Sequence, residues 1–360
     1  MKTIFSVTYG SVMLTRGTPM RIKKLIKFAA EDPEVRLFVF SFDEYIDLKN
    51  IKHIRFPKNF FGAYRLLHKY YKKQTPDLII GHTLTAWKFI YFLKILKSAP
   101  IYFEMHSFFP SENYKLFQLK KILSKYIKQY LQSDFLKRCD IITTPWPKST
   151  DLILKYNTHV STLYDGANTE IFNSTAKKNI LSPELKESDI VIGYAGNSRP
   201  YQGLPMLDEA FKKVIKINPN FKLFLLLSDR ENKDYGDSVL VAGPVAHEEV
   251  PKYLNSCDIL VAPMLDGAGV THSLPSKIFE YLAMSKPLVA SRLNGIENIV
   301  EDNTSSVLFN PNDTDDLVKK ILSLQNRNKR LELSTMGNEL VLKKYSQYLM
   351  KKNFLALIKA

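Results

Sequence analysis

Only two cysteines, Cys139 and Cys257, occur among the 360 residues, so the chain holds no disulfide framework and suits a reducing compartment. Each precedes Asp-Ile at the start of an apolar run, where a small core residue is expected. Long apolar runs are scarce too. The longest, Leu84 to Leu96, is broken by Lys88 and Lys94, so no membrane span is expected. The opening Met1 to Thr8 reads as a first strand, and Tyr9, Gly10 and Ser11 interrupt it too soon for a secretory signal. His-Glu-x-x-His, paired-Cys zinc spacing and Gly-x-Ser-x-Gly are all missing, so neither a metal site nor a serine nucleophile is expected. The single Asp-x-Asp, Asp313-Thr-Asp315, sits at a helix start, where acids favour capping.

Acids are sparse in one half only. Residues 1–170 hold 27 Lys and Arg against 14 Asp and Glu, whereas residues 171–360 hold 24 against 22. Most of the net charge of +15 therefore lies in the first half. Such asymmetry points to a polyanionic partner of that half, either a membrane surface, nucleic acid or a charged substrate. No nucleic-acid motif accompanies it, so nucleic acid is not the expected partner.

What is present is an α/β pattern long enough for two cores. Strand-like runs at Thr3–Thr8, Arg36–Ser41, Asp77–Gly81, Ile101–Glu104, Asp140–Thr143 and Ser161–Tyr164 alternate with helical patterns. These helical patterns lie at Arg21–Ala30, Gly62–Lys73, Thr85–Lys97, Tyr114–Leu136 and Lys148–Tyr156. The alternation restarts at Asp189–Ala195, with strands at Lys222–Leu227, Ser238–Val241, Asp258–Val261, Pro287–Ala290 and Ser306–Phe309. Helices are expected there at Leu204–Ile217, His247–Asn255, Pro275–Met284 and Asp315–Leu324. Alternation of this kind calls for parallel sheets covered on both faces. Cys139-Asp-Ile-Ile-Thr-Thr-Pro echoes Cys257-Asp-Ile-Leu-Val-Ala-Pro, as two related Rossmann-like halves would. The expected division is residues 1–168, residues 169–345, and a C-terminal helix at 346–360, past a break near Tyr345-Ser346.

Cys257 to Ser291 carries the most chemistry. It reads strand, loop, helix, strand, with Gly267 and Gly269 in the loop and Ser273-Leu-Pro-Ser276 opening the helix. Pro275 suits a first turn, and Ser273 or Ser276 is expected to cap it. A helix N-terminus at the mouth of a parallel sheet attracts anions, and Lys277 adds a full positive charge. Glu280, about one turn in, offers a carboxylate to sugar hydroxyls. The segment describes a pocket for a nucleotide diphosphate.

Pro275-Ser-Lys…Glu280-Tyr-Leu-Ala…Lys-Pro287 resembles the nucleotide-sugar site of the retaining GT-B glycosyltransferases called group 1, or family 4. The resemblance implies two doubly wound Rossmann-like domains facing an interdomain cleft. It implies sugar transfer from a nucleotide diphosphate sugar with retention, no cofactor and no required metal. Glu280 then matches the glutamate associated with the ribose, and His272 stands eight residues earlier, where another glutamate is usual. Ser273, Leu274, Pro275 and Ser276 complete that donor segment. The loop Gly193–Gly203 resembles one that brings an arginine and a lysine to the diphosphate. Here Gly196 precedes Asn197 at the arginine's place, and Gln202 stands at the lysine's. Either Arg199 and Lys277 replace that pair, or the diphosphate is held weakly.

In the first half, His106 follows the strand Ile101–Glu104 and resembles the family histidine near the donor sugar. His82 is another strand-end histidine. Arg16 and Gly17 occupy the place of the glycine-rich loop after the first strand, on the acceptor side. Asp165 to Phe172 resembles the connector between the domains, with a structural role. His106, Arg199 and Lys277 are the residues expected to act on the reacting bond. The expected acceptor is lipid-linked or a cell-surface saccharide, on a cytoplasmic protein in peripheral contact with an anionic membrane. Residues 57–73 and 114–138, basic and apolar together, are the expected contact helices. Two other readings stay open: a nucleotide-sugar epimerase of like architecture, and a catalytically weak nucleotide-binding partner subunit, to which Gln202 and His272 point.

Overall fold

The structure is a computed structural model, and it describes every residue except 14–16, 97–98, 106–129, 230–235, 237 and 268–273. It divides into one unit of Met1–Tyr164 with Met350–Ala360, and a second of Asp165–Leu349. Among the described residues, no helix is long and apolar enough to cross a membrane.

The first unit is built on β1 (Lys2–Thr8), β2 (Val35–Ser41), β3 (Ile51–Arg55), β4 (Leu78–His82), β5 (Ile101–Glu104), β6 (Ile141–Thr144) and β7 (Val160–Thr162). All pairings are parallel, in the order β3-β2-β1-β4-β5-β6-β7. Side chains alternate across a strand, so both faces of the sheet carry apolar residues. Phe5, Val7, Phe38, Phe40, Ile79 and Phe103 join one core; Ile4, Leu37, Val39, Leu78, Ile80 and Tyr102 join the other. β3 was not expected. Its Lys52, His53 and Arg55 dilute the apolar signal, which an edge strand tolerates because one side faces solvent.

Two helices of this unit matter below. Phe60–Gln74 begins where the Asn59 side chain accepts from Gly62 N at 2.6 Å, and it buries Ala63, Leu67 and Tyr71. Its apolar stripe is therefore core, which corrects the expectation of a membrane-facing apolar side. Of the other expected contact segment, residues 114–129 lie outside the described residues. The C-terminal helix Gln347–Lys359 presents Met350, Phe354 and Ile358 at four-residue spacing to the core that holds Ile4 and Tyr102. Lys351 pairs with Glu31 at 2.5 Å, and Lys359 reaches Asp32 and Glu34 at 2.8 and 2.7 Å.

The second unit contains β8 (Ile190–Gly196), β9 (Phe221–Leu227), β10 (Val239–Ala242), β11 (Ile259–Ala262), β12 (Leu288–Ser291) and β13 (Val307–Phe309). Their order is β10-β9-β8-β11-β12-β13, again all parallel. The helix Leu204–Ile217 lays Leu207, Ala210, Phe211 and Val214 on Ile192, Tyr194, Leu223 and Val261. Each unit is a doubly wound Rossmann-like sheet. In each, the strand order reverses beside the first strand, β1 next to β4 and β8 next to β11. Ligands of such sheets bind outside the carboxyl ends at that reversal. The helix expected over His247–Asn255 is instead a 3₁₀ turn at His247–Glu249 and a short helix at Val250–Leu254. Pro251 falls in the first turn of that short helix, where its missing N–H costs no bond and its fixed φ suits a helix start.

Candidate functional site

The loops leaving β8 and β11 meet at the second unit's reversal point. β8 ends at Gly196, where an added Cβ would lie 2.7 Å from both Lys277 Nζ and Tyr194 Oη. Only a residue without a side chain lets these groups close over the strand end. The loop then turns through Asn197, whose carbonyl accepts from the Tyr194 hydroxyl at 2.7 Å. Ser198 is held by Asp229, its amide at 3.0 Å from Oδ1 and its hydroxyl at 2.9 Å from Oδ2. Gln202 is buried, and the following Gly203 has φ 74°, against the Pro263 carbonyl, with which a Cβ would collide. Leu265 N donates to Tyr201 O at 3.0 Å, joining this loop to the one after β11.

Lys277 lies under that loop rather than in solvent. Its ammonium donates to Gln202 Oε1 at 2.8 Å and stands 4.3 Å above the centre of the Tyr194 ring. Burial disfavours the charge and pushes its pKa down to about 7, against the opposing pull of Glu280. Lys277 thus occupies the neighbourhood of Gln202, where the sequence puts an amide in place of a cation. Tyr281, four residues on, donates to Ala195 O at 3.1 Å and accepts from Ala195 N at 2.7 Å, pinning the helix to β8. Burial raises its pKa, so it stays a neutral phenol. Glu280 is partly exposed and lies 3.3 Å from His247 Nε2. The arrangement can neutralise an anion beside Lys277 and accept hydrogen bonds from hydroxyls at Glu280.

One expectation at this helix fails. It runs Lys277–Ala283 after a turn that Pro275 opens, its carbonyl accepting from Ile278 N at 3.1 Å, and among the described residues no side chain caps it, Ser276 included. Ser276 has helical angles, φ −56° and ψ −30°, whereas a side-chain cap needs extended backbone. With seven residues, the helix contributes little dipole, so Lys277 supplies the site's charge. Leu274 and Pro275 are half-buried, and Ser276 and Arg199 are exposed. Arg199 N donates to Asn197 Oδ1 at 3.2 Å. His272, Ser273, Arg16 and His106 lie outside the described residues; Gly17 opens the helix Gly17–Ala30.

At the first unit's reversal, His82 turns into the core. Its Nε2 is 3.0 Å from Ser6 Oγ and its Nδ1 3.0 Å from Glu104 Oε2. Arg21 Nε donates to Glu104 Oε1 at 2.6 Å and its Nη2 to Leu163 O at 2.6 Å. All four side chains are buried, so this row braces the strand ends and helix Gly17–Ala30. Asp313 caps Thr314–Leu322, accepting from Asp316 N at 2.9 Å. Among the described residues, no cluster of three His, Cys, Asp or Glu could hold a metal.

Nothing in the sequence alone marks Tyr194, Asp229 or Tyr281 as site residues, and little marks His247. Three lie inside or just beyond elements placed for other reasons. His247 had one signal, its position in the loop after the carboxyl end of β10.

Comparison with known proteins agrees with this architecture. Residues 189–327 match the family model described as "Glycosyl transferases group 1". An uncharacterized glycosyltransferase of Methanocaldococcus jannaschii is 26% identical over 223 residues, 60% of this chain and 52% of that protein. The chain thus spans about half the length of this curated relative. A glycosyltransferase from Rickettsia africae has a similar structure, with a TM-score of 0.78 at 17% identity over 99% of this chain and 98% of that one. Anabaena HepE in complex with UDP-glucose gives 0.73 at 14% identity, over 100% and 99%. The structural likeness shows the fold: two Rossmann-like parallel-sheet units, as in GT-B proteins. The group 1 match falls within the second unit and contains the Lys277 site.

Proposed function

We propose that this protein transfers a sugar from a nucleoside diphosphate sugar to a lipid-linked or saccharide acceptor, with retention of configuration and no required metal. One observation carries the reading: a buried lysine, bonded to Gln202, at the strand-order reversal of the unit that matches group 1 glycosyltransferases. In such a transfer, the hard step is departure of the diphosphate. A cation with little water around it stabilises charge growing on that leaving group more than one in solvent would. Lys277 would do this, with Arg199 as the second cation. Gly196, Asn197 and Gln202 shape the loop around the phosphates, and Glu280 holds the ribose. His272, Ser273, Leu274, Pro275 and Ser276 complete the donor side; His106, Arg16 and Gly17 serve the sugar and acceptor. UDP-glucose in HepE supports the substrate class.

The charge of the first unit supports a peripheral stand on the cytoplasmic face of an anionic membrane. Residues 48–103 hold eleven Lys and Arg and one acid, Asp77. With the apolar stripe of Phe60–Gln74 buried, the exposed contact is a corner of Phe61 and Phe92, 77% and 47% exposed, beside Lys58, Arg65, Lys69 and Lys88. Cosedimentation with anionic but not neutral vesicles, reversed by salt and weakened by Arg65→Glu with Lys69→Glu, is the expected result. Equal failure to bind either vesicle removes the membrane.

The central test is a thermal-shift and calorimetric screen of nucleoside diphosphates and their sugars, followed by turnover with and without acceptor. Expected are binding of one nucleotide class and acceptor-dependent consumption of its sugar. Conversion of donor with no acceptor present would make the protein an epimerase. Tight binding without turnover would make it a binding subunit.

A further inference from the structure

Besides Lys277, Glu280 faces a residue from a separate element of the second unit. His247 opens the 3₁₀ turn after β10 and brings Nε2 to 3.3 Å from Glu280 Oε1, although 33 residues separate them in sequence. Its ring lies 5.1 Å from the ring of Phe172, at 53°. Phe172 is buried in the connector, and its amide donates to Asn168 O at 2.8 Å. The chain beyond it is fastened to the segment that follows His247. Asn255 Nδ2 donates to Ser174 O at 3.1 Å, Ser256 Oγ to Asn179 O at 2.7 Å, and Asn179 N to Lys252 O at 3.1 Å. The imidazole is therefore located by a scaffold on one side and meets the carboxylate on the other.

A carboxylate has two oxygens, each able to accept more than one hydrogen bond. A long, partly exposed glutamate would otherwise spread over several rotamers, and ordering it on binding costs conformational entropy. We propose that His247 is a positioning residue of the donor site, holding Oε1 of Glu280 so that the carboxylate is already set to receive the ribose hydroxyls of a nucleoside diphosphate. The inference rests on the assignment of Glu280 to the ribose. It gives the connector a second task, since Phe172 sets the imidazole that sets the glutamate.

The test uses the full chain and calorimetric titration with uridine, guanosine and adenosine diphosphates, continuing with whichever binds tightest. His247→Phe keeps a ring against Phe172 and removes the donor; His247→Gln restores a donor. His247→Phe is expected to weaken nucleotide binding about three- to tenfold, and His247→Gln to recover most of it. In a Glu280→Met background, which removes the acceptor and keeps the length of the side chain, the His247→Phe effect should shrink toward none, because two residues acting through one contact are not additive. Wild-type affinity in His247→Phe, or a full additive loss in the double variant, would overturn the inference while leaving the donor site standing. Unchanged affinity in Glu280→Met alone would instead remove the ribose assignment, and His247's role with it. Should His247→Phe fail to fold, His247→Ala takes its place: wild-type affinity in it, or a loss that is unchanged in the Glu280→Met background, overturns the inference.

Discussion

Replacing Lys277 by Met should make the protein more stable at neutral pH, and the gain should fade as pH rises. Burial moves the amine from 10.5 to about 7. At roughly 1.4 kcal/mol for each tenfold, keeping it charged in the fold costs about 5 kcal/mol. The hydrogen bond to Gln202 and the Tyr194 face return about 1–3 kcal/mol, which Met forfeits. Met should therefore stabilise by about 2 kcal/mol at pH 7. Below pH 7, the amine is protonated whether the chain is folded or not, so the cost is present in full. Between pH 7 and 10.5, the folded protein releases the proton while the unfolded chain keeps it, and wild-type stability climbs with pH. Met has no proton to release. The variant's advantage should shrink by about 2–3 kcal/mol from pH 7 to pH 9. Urea unfolding followed by circular dichroism at both pH values measures it. An advantage that stays constant or grows with pH would refute the burial of a titrating amine at this position.

Binding of a nucleoside diphosphate at pH 8 should take up roughly half to one proton, because the anion restores the charge on Lys277. Calorimetry in buffers of different ionisation enthalpy reads this, and Lys277→Met should abolish it. Phe354→Ala should lower the stability of the first unit by about 3–4 kcal/mol, because its ring is buried 5.9 Å from that of Tyr102; urea unfolding checks it. Arg21→Met should cost about 3–5 kcal/mol by leaving Glu104 charged in the core, and adding Glu104→Leu should recover part of the loss; both are measured by denaturation. Gly203→Ala should weaken nucleotide binding by displacing Gln202, with a shift in calorimetric affinity as the measure.

The fold was legible because its strongest patterns are local. Ile101–Glu104 is buried along its whole length and reads as an unbroken strand, and Leu204–Ile217 is amphipathic, between Gly203 and Asn218. Both occur within the expected bounds. β3 escaped because three of its five residues are polar. The first turn at Pro275 could be read from composition, but the Ser276 cap could not be excluded, because Ser276 already adopts helical angles, which no sequence pattern shows. In the site, the chemistry of Lys277 and Glu280 could be read from their segment, but their surroundings could not. A lysine is placed outside by default. Its burial follows from Tyr194 and Gln202, which reach it across the sheet's reversal from 75 residues away or more. His247 was invisible as a partner of Glu280 for the same reason of long-range closure.

The buried row Ser6, His82, Glu104 and Arg21 also bears on how sequences of this kind can drift. A single replacement at Arg21 or Glu104 strands a charge among apolar neighbours, and most lineages carrying it would be lost before a second change arrived. A paired replacement by two apolar residues of matching bulk strands no charge and meets a lower barrier, set by the loss of the carboxylate that His82 Nδ1 meets. The two positions should therefore change together or stay fixed in descendants, leaving a covarying signature that links the end of β5 to the helix Gly17–Ala30. Neighbouring Tyr102, whose hydroxyl meets Thr143 Oγ1 at 2.8 Å, is free to vary with its own partner instead. Ancestry, more than present chemistry, would then decide which version of this core a given relative inherits.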